Sequence, residues 1–544
     1  MQVVLGLNCS HDASACIMVN GQLVFAVAEE RLSRQKHHFG FPERAIVRCL
    51  EAAGPISLRD VDCVVVNQMA PWEHESRLRT AGCRLVIANP SHHLLHACYA
   101  FSLFSTRPAS CLVVDGSGYS LGEYLDRRGE LLDPHPGSRQ ACEAWSLFRV
   151  ERDGAIQVEA RQWEHWHDAR QDLYRFPSLG HMYSMAAQYT FGSWHDAGKV
   201  MGLSAYGLVY PSDHPIVTPR ADGLDIDTRW VLEVAEIEKG HWESGQARAV
   251  AARVQHELER GMQHLAAIAK KRHPADALLL TGGVALNPVC NELVRACGHF
   301  GNFEVTPAAG DSGIAVGAAA YGVRRLTGEL PTLENQQEFC GGAHEDKYIE
   351  KVLAGWTGVR YCHLLGDEWA YAIADAIRKG LVVGLLNGRS ELGPRALGHR
   401  SILADARLAE MKDRLNRAVK FREPFRPFGA SILEERCSEW LDLSGPSAHM
   451  LYAGRVREAY RDVIPAVVHI DGSCRIQTVG RTYNGVLRQV LEHFDRMTGV
   501  PLVVNTSLNL KGDPICESPD DAMETLMRSK MDTLFIEGWQ ISKS

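Results

Sequence analysis

VVLGLNCSHDASACIMVNGQLVFAVA, running from Val3 to Ala28, is the stretch that decides the fold. It reads as an apolar strand from Val3 to Leu7, a polar turn from Asn8 to Ser14, a second strand from Ala15 to Val19 and a third from Gln22 to Ala28. Asn20-Gly21, between the last two, is a hairpin signal because both residues tolerate the positive φ that a tight turn needs. The same plan returns further on. Cys111 to Val114 is an apolar strand, Asp115-Gly116-Ser117-Gly118 a polar turn, Tyr119 to Leu125 a strand, and Arg128-Gly129 a turn. Two copies of strand, small polar loop and hairpin predict an internally duplicated α/β domain, with nucleotide phosphates held between the copies.

That plan resembles the architecture of the actin, sugar-kinase and heat-shock ATPase superfamily. A third strand signal, Ala277 to Leu280, ends in Thr281-Gly282-Gly283, where backbone N–H groups can approach a ligand closely; paired glycines also serve turn geometry alone. Periodicity breaks down between Gly328 and Gly342, which places a domain boundary near residue 345. Residues 1–345 then form the duplicated domain and 346–544 a second α/β domain, with a helix from Trp369 to Lys379 and a buried strand from Leu381 to Leu386.

A chain of 544 residues exceeds what one core organises well, so two domains or more are expected. The formal charge of -8 weighs against a nucleic-acid partner. No apolar run is long enough to span a membrane, and the first residues read as a strand rather than a targeting segment. The fifteen cysteines are scattered and form no CxxC pair, which fits a reducing cytoplasm better than a disulfide framework or a zinc ribbon.

His92 and His96 are four residues apart, so on a helix they share one face and can bind one cation. A helix merely decorated with histidines has the same spacing. Asp115, at a strand end, and Asp311, in Ala309-Gly310-Asp311-Ser312-Gly313, are plausible further ligands. Two imidazoles and two carboxylates suit a divalent iron, manganese or zinc ion. His11 lies in the first polar loop and is a candidate general base, although a loop histidine is commonly just solvated.

The second half is denser in cations. Gly388 to Arg400 (GRSELGPRALGHR) follows a buried strand, and Val419 to Pro427 (VKFREPFRP) adds Lys420, Arg422 and Arg426 on a stretch stiffened by proline. Guanidinium forks grip phosphate at two points, so this density favours a phosphorylated substrate over surface salt bridging. Arg475, and Asn505 with Ser507 beyond the strand Pro501 to Val504, add polar groups that either hold a ligand or cap turns.

Taken in order, nine stretches resemble the antibiotic and nodulation-factor O-carbamoyltransferase family: LNCSHDAS (Leu7 to Ser14), HHLLHA (His92 to Ala97), VVDGSG (Val113 to Gly118), GKVMGLSAYG (Gly198 to Gly207), LLLTGGVALN (Leu278 to Asn287), GDSGIAVGAA (Gly310 to Ala319), GRSELGPRALGHRSIL (Gly388 to Leu403), VKFREPFRPF (Val419 to Phe428) and VVNTSLNLKGDPI (Val503 to Ile515). The resemblance implies an actin/sugar-kinase-like first domain, like that of the tRNA threonylcarbamoylation protein, and a YrdC-like second domain that makes carbamoyl-adenylate. Carbamoyl phosphate and ATP, the latter with Mg(II), are implied at Arg395, Lys420, Arg426, Arg475, Asn505 and Ser507. A metal, Fe(II) or another divalent ion, is implied at His92, His96, Asp115 and Asp311, and His11 matches the residue that assists transfer to an acceptor hydroxyl. Ser10, Lys199, Gly202, Gly282, Gly283 and Asn287 fall in the stretches expected to hold a nucleotide in the first domain.

Two rivals remain in view: an enzyme of the tRNA threonylcarbamoylation type, and a nucleotide-binding regulator without turnover. The acidic balance argues against the first, and retention of the whole set of polar residues against the second. A hydroxylated small molecule is the expected acceptor, with no nucleic acid and no membrane as partner. No motif names that acceptor or the oligomeric state. Lys36 and His37 are candidates for the acceptor side, unless they belong to a solvated basic loop.

Overall fold

The computed structural model describes residues 1–68, 73–88, 90–122, 138–167, 175–209, 214–234, 240–333, 338–483 and 485–544. The chain divides into two compact units, one made of Met1–Glu29 with His38–Gln337, the other of Glu30–His37 with Glu338–Ser544.

In the first unit β1 (Val3–Cys9), β2 (Ser14–Val19), β3 (Gln22–Ala28), β4 (Cys63–Gln68) and β5 (Val86–Ala88) form one sheet in the order β3-β2-β1-β4-β5. β1 runs antiparallel to β2 and parallel to β4, which runs parallel to β5. A second sheet repeats this plan with β6 (Ala109–Val114), β7 (Cys142–Val150) and β8 (Ile156–Glu164), and a separate hairpin pairs β9 (Val217–Arg220) with β10 (Gly223–Ile226). β11 (Ala277–Thr281) and β12 (Asn302–Val305) complete the second sheet, in the order β12-β11-β6-β7-β8. The pairings match those of the first sheet, antiparallel on one side of β6 and parallel on the other. The duplicated α/β architecture is therefore explicit. β1, β6 and β11 are buried along their whole length, which is why they read as unbroken apolar runs rather than as alternation.

One expectation about the second copy is corrected. Tyr119 to Gly122, the described part of the expected strand from Tyr119 to Leu125, do not form it: Ser120 makes a single bridge to Cys142, and Tyr119 and Leu121 pack with Trp163 of β8; Glu123 to Leu125 lie outside the described residues. The hairpin partners come later, as β7 and β8. The expected turn at Arg128-Gly129 lies outside the described residues.

Two helices, His92–Leu103 and Ile314–Thr327, are buried against each other. Gly317 makes their close approach possible, since a Cβ there would stand 1.9 Å from the Leu95 carbonyl oxygen. This contact sets the start of the second helix, next to Asp311, against the turn that carries His96.

In the second unit the strands hydrogen-bond in the order Val359–His363, Trp539–Lys543, Thr533–Ile536, Val383–Leu386, Arg400–Ala404, Leu502–Ser507, Gly429–Leu433, Ser473–Val479, Tyr452–Val456 and Leu441–Asp442. Helices Glu368–Arg378 and Leu487–Thr498 turn apolar faces, including Ile373, Ile377, Val490, Leu491 and Phe494, into its core. Asn505 and Ser507 belong to the strand Leu502–Ser507 rather than to a loop beyond it, because β pairing with Leu403 and Ser401 continues to Ser507.

Candidate functional site

In the first unit the loop between β1 and β2 carries His11, and the Asn8 side chain donates to the His11 carbonyl at 3.0 Å and the Asp311 carbonyl at 3.2 Å. His92 and His96 lie in the first turns of their helix, whose N-cap Ser91 accepts from the Leu94 N–H. Asp115 follows β6. His92 Nε2 stands 3.3 Å from Asp115 Oδ2 and 3.7 Å from Asp311 Oδ1; His96 Nε2 stands 3.4 and 3.8 Å from the same atoms. One ligand atom from each of the four residues lies within 4.8 Å of the others, and all four side chains are buried.

This arrangement suits a cation. His96 Nε2 is buried and, among the described residues, faces only the Asp115 and Asp311 carboxylates without a hydrogen bond of good geometry to either, so it is directed into the cluster. Burial alone would lower the His96 pKa, but the Asp115 and Asp311 carboxylates outweigh it and raise it to about 9. Burial would likewise raise the Asp115 carboxyl, and the His92 and His96 imidazoles hold it well below its ordinary value. Two imidazoles facing two carboxylates on one point form a donor set of borderline-hard character.

His93, the third histidine of the stretch, turns away. Its Nδ1 lies 2.9 Å from the Ser146 hydroxyl, and burial lowers its pKa to about 4, so it is neutral. Glu143 accepts from the Ser91 hydroxyl at 2.6 Å and so anchors the cap of the ligand-bearing helix.

His11 bridges two carboxylates, with Nε2 3.2 Å from Asp311 Oδ2 and Nδ1 3.2 Å from Asp12 Oδ2. Burial works to lower its pKa, but Asp311 and Asp12 outweigh it and raise it to about 10. Trp194, which the sequence reading missed, meets His11 edge to face at 5.5 Å between ring centroids and is 41% exposed. Nothing in its local sequence pointed to that contact.

The nucleotide-site expectations for this unit separate. Ser10 donates to Asn8 Oδ1 and lies 3.3 Å from Asp311 Oδ2, beside the cluster. Gly282 has φ +95°, and a Cβ there would stand 2.3 Å from the Val114 carbonyl oxygen, while the Gly283 N–H donates to Asp115 at 3.1 Å. These three residues border the cluster of His92, His96, Asp115 and Asp311. Lys199 pairs with Asp196 at 3.0 Å, Gly202 is buried in the helix Ala197–Ser204, and Asn287 caps the helix Pro288–Ala296 and donates to Gln255.

In the second unit the cations converge. Lys420 follows a π-turn, Leu415–Val419, and its ammonium donates to the Ser507 carbonyl at 2.8 Å and to Asn509 Oδ1 at 2.5 Å. Burial lowers the Lys420 pKa well below its ordinary value, and the nearby charges of Arg422, Arg426 and Lys36 lower it further. Arg395 is depressed by burial and by Arg475 and Arg426, and burial takes Arg475 down to about 10. Arg475 Nε is buried without a partner. Asn505 donates to Ser431 and Gln477, on neighbouring strands. Arg422, quoted in the sequence but not singled out, belongs to this group; Lys36 lies near it in the second unit. The other two arginines of the Gly388–Arg400 stretch have a different part. Arg400, fully buried, donates to the carbonyls of Gly342, Asn387, Gly388, His399 and Glu517, and Arg389 donates to those of Cys340 and Gly341. Both hold the loop that presents Arg395.

Residues 3–83 and 225–320 match the family model described as carbamoyltransferase N-terminus, and residues 374–543 that of the carbamoyltransferase C-terminus. Nodulation protein NolNO of Sinorhizobium fredii is 33% identical over 98% of this chain and 79% of its own length. The chain belongs to the carbamoyltransferase family. Nodulation protein U of Rhizobium tropici is 29% identical to this carbamoyltransferase, over 94% of it and 91% of the relative. Among solved structures, that of T. kodakarensis HypF shares 12% identity at a TM-score of 0.42, covering 60% of this carbamoyltransferase and 48% of HypF.

Proposed function

We propose that this carbamoyltransferase uses carbamoyl phosphate and ATP to make carbamoyl-adenylate in the second unit, and passes the carbamoyl group to a hydroxyl of a small-molecule acceptor in the first. The reading rests on family membership and, above all, on the closeness of Arg395, Lys420, Arg422, Arg426 and Arg475, whose charges act on one another, with Lys420 buried and the arginines half-buried. Buried like charges repel one another and are costly to desolvate, so such a group is best satisfied by a polyanion such as a triphosphate beside a phosphorylated substrate.

Water cleaves carbamoyl phosphate to carbamate and phosphate; a carbamate oxygen then attacks the α-phosphorus of ATP and pyrophosphate leaves. The guanidinium groups neutralise both anions and stabilise charge on the phosphorus oxygens, while enclosure limits loss of the unstable carbamate. Lys420, whose ammonium already donates to Ser507 and Asn509, brings positive charge to the site and reaches a phosphate oxygen by exchanging one of those bonds. In the first unit, the acceptor oxygen attacks the carbamoyl carbon and AMP leaves; His11 would take the acceptor proton once a cation held by Asp311 offsets the negative charge that keeps this imidazole protonated. His92, His96, Asp115 and Asp311 would hold Fe(II) or another divalent ion, which when bound stabilises negative charge on oxygen. Serving the reaction in a reducing cytoplasm fits the free state of all fifteen cysteines.

The test is pyrophosphate release. Purified protein given ATP and carbamoyl phosphate releases pyrophosphate, and omission of carbamoyl phosphate abolishes it; release that ignores carbamoyl phosphate sinks the reading. A panel of hydroxylated acceptors, followed by mass spectrometry for an added carbamoyl group, identifies the second substrate.

A further inference from the structure

Residues Glu30–His37 come from the first tenth of the sequence yet belong to the second unit. Arg31 is 3% exposed and its guanidinium donates to the Gly393 carbonyl at 3.0 Å, two residues before Arg395. The same guanidinium faces Glu517 at 3.9 Å. Beside it, Glu391 accepts from the backbone N–H groups of Leu397, His399 and Arg400 at 2.8, 2.9 and 3.1 Å, which folds the loop around Arg395. Burial would raise the Glu391 carboxyl, and the charges of His399, Arg31 and Arg400 keep it below its ordinary value. Arg34, three residues on, donates to the carbonyls of Ile515 at 2.9 Å and Pro514 at 3.1 Å and pairs with Asp521 at 3.3 Å. Those carbonyls close the segment that begins at Ser507 and Asn509, the residues that hold Lys420.

We propose that Glu30–His37 is a strap across the cation pocket, in which Arg31 and Arg34 are positioning residues: Arg31 sets the wall that carries Arg395, and Arg34 sets the wall that holds Lys420. The inference rests on the reading of this pocket as the carbamoyl phosphate and ATP site. Both guanidinium groups are spent on carbonyls and carboxylates of the walls. A cation fixed from a remote part of the chain holds a loop more firmly than neighbours in the same loop can, because the loop cannot relax without stripping a buried charge of its partners.

The experiment compares the parental protein with R31K, R34A and R436A, the last removing an arginine that pairs with Glu439 and Asp495 in the same unit, away from the walls named above. Carbamoyl-phosphate-dependent pyrophosphate release is measured at varied carbamoyl phosphate, together with melting temperature. R31K keeps the buried charge but loses the fork, and R34A loses both carbonyl contacts; each raises KM for carbamoyl phosphate on the order of tenfold or more, as expected for lost charge-assisted hydrogen bonds at a binding wall. R436A keeps the parental KM. Should R34A give no folded protein, R34K takes its place. A merely structural role lowers melting temperature and kcat while KM stays at the parental value, and that result overturns the strap. Parental protein that releases no pyrophosphate overturns the functional reading, and the strap with it; parental activity with an unchanged KM in R31K and R34A overturns the strap alone.

Discussion

The two units solve opposite electrostatic problems. The first gathers two carboxylates and two imidazoles within 4.8 Å, a site that wants a cation; the second gathers lysine and arginine side chains that depress one another, a site that wants anions. Each holds its charges by different means. In the first unit the four clustered side chains come from helix and strand ends of the duplicated core, so their geometry follows from the packing of the His92–Leu103 and Ile314–Thr327 helices. In the second, strands carry Arg475, Asn505 and Ser507, but Arg395 and Lys420 lie on loops fixed by further buried arginines and carbonyls. Sites on loops depend more on their supports.

Substitutions can sharpen this contrast. The largest effect is expected from R395A or R426A, which remove charge stabilisation at the reacting phosphorus and lower carbamoyl-phosphate-dependent pyrophosphate release by roughly 10² to 10³; parental turnover in either variant removes the pocket assignment. H11A comes next. It slows transfer to an acceptor at least about a hundredfold, as for loss of a positioned base, while carbamoyl-adenylate still accumulates in the second unit and is resolved by chromatography. If the variant makes no adenylate, the division of labour between the units fails.

H96A is expected to strip metal from the first unit, since losing one of four ligands leaves an incomplete shell. Elemental analysis is the readout, and parental metal content in the variant breaks the ligand assignment. The smallest effect belongs to E391Q. Glu391 has a folded pKa below its ordinary value of 4.5, so its charge stabilises the unit above that pH and the contribution is lost as pH falls through the folded pKa. E391Q therefore melts below the parent at neutral pH, with a gap that narrows in acid; a gap constant with pH contradicts the role given to that carboxylate.

Much of the first unit was legible because its signals are local. The run from Val3 to Ala28 carries its own strands and hairpin dipeptide, and His92 and His96 share a helix face at a spacing that needs no tertiary knowledge. The strand placed at Tyr119 failed for a tertiary reason, since Tyr119 and Leu121 find Trp163 rather than a ladder. In the second unit cation density was visible, yet nothing local separates Arg395, which faces other cations, from Arg389 and Arg400, which are spent on carbonyls. The distinction depends on which arginine the folded loop turns inward. Trp194 beside His11, and Arg31 on Gly393, join residues far apart in the chain, and no spacing rule reaches that far.

The strap also bears on how the protein is made. Arg31 leaves the ribosome 362 residues before Gly393, a wait of roughly 20 to 70 s at ordinary synthesis rates. During that interval β1 to β3 can pair on the nascent chain, whereas the distant partners of Arg31 and Arg34, Gly393, Pro514, Ile515, Glu517 and Asp521, are not yet made. The second unit thus closes by capturing a segment that has long been in solution, a non-local step of the kind that slows folding. A chain cut at Gln337 would leave that segment on the wrong fragment, so the halves are separable as sequence but not as folding units.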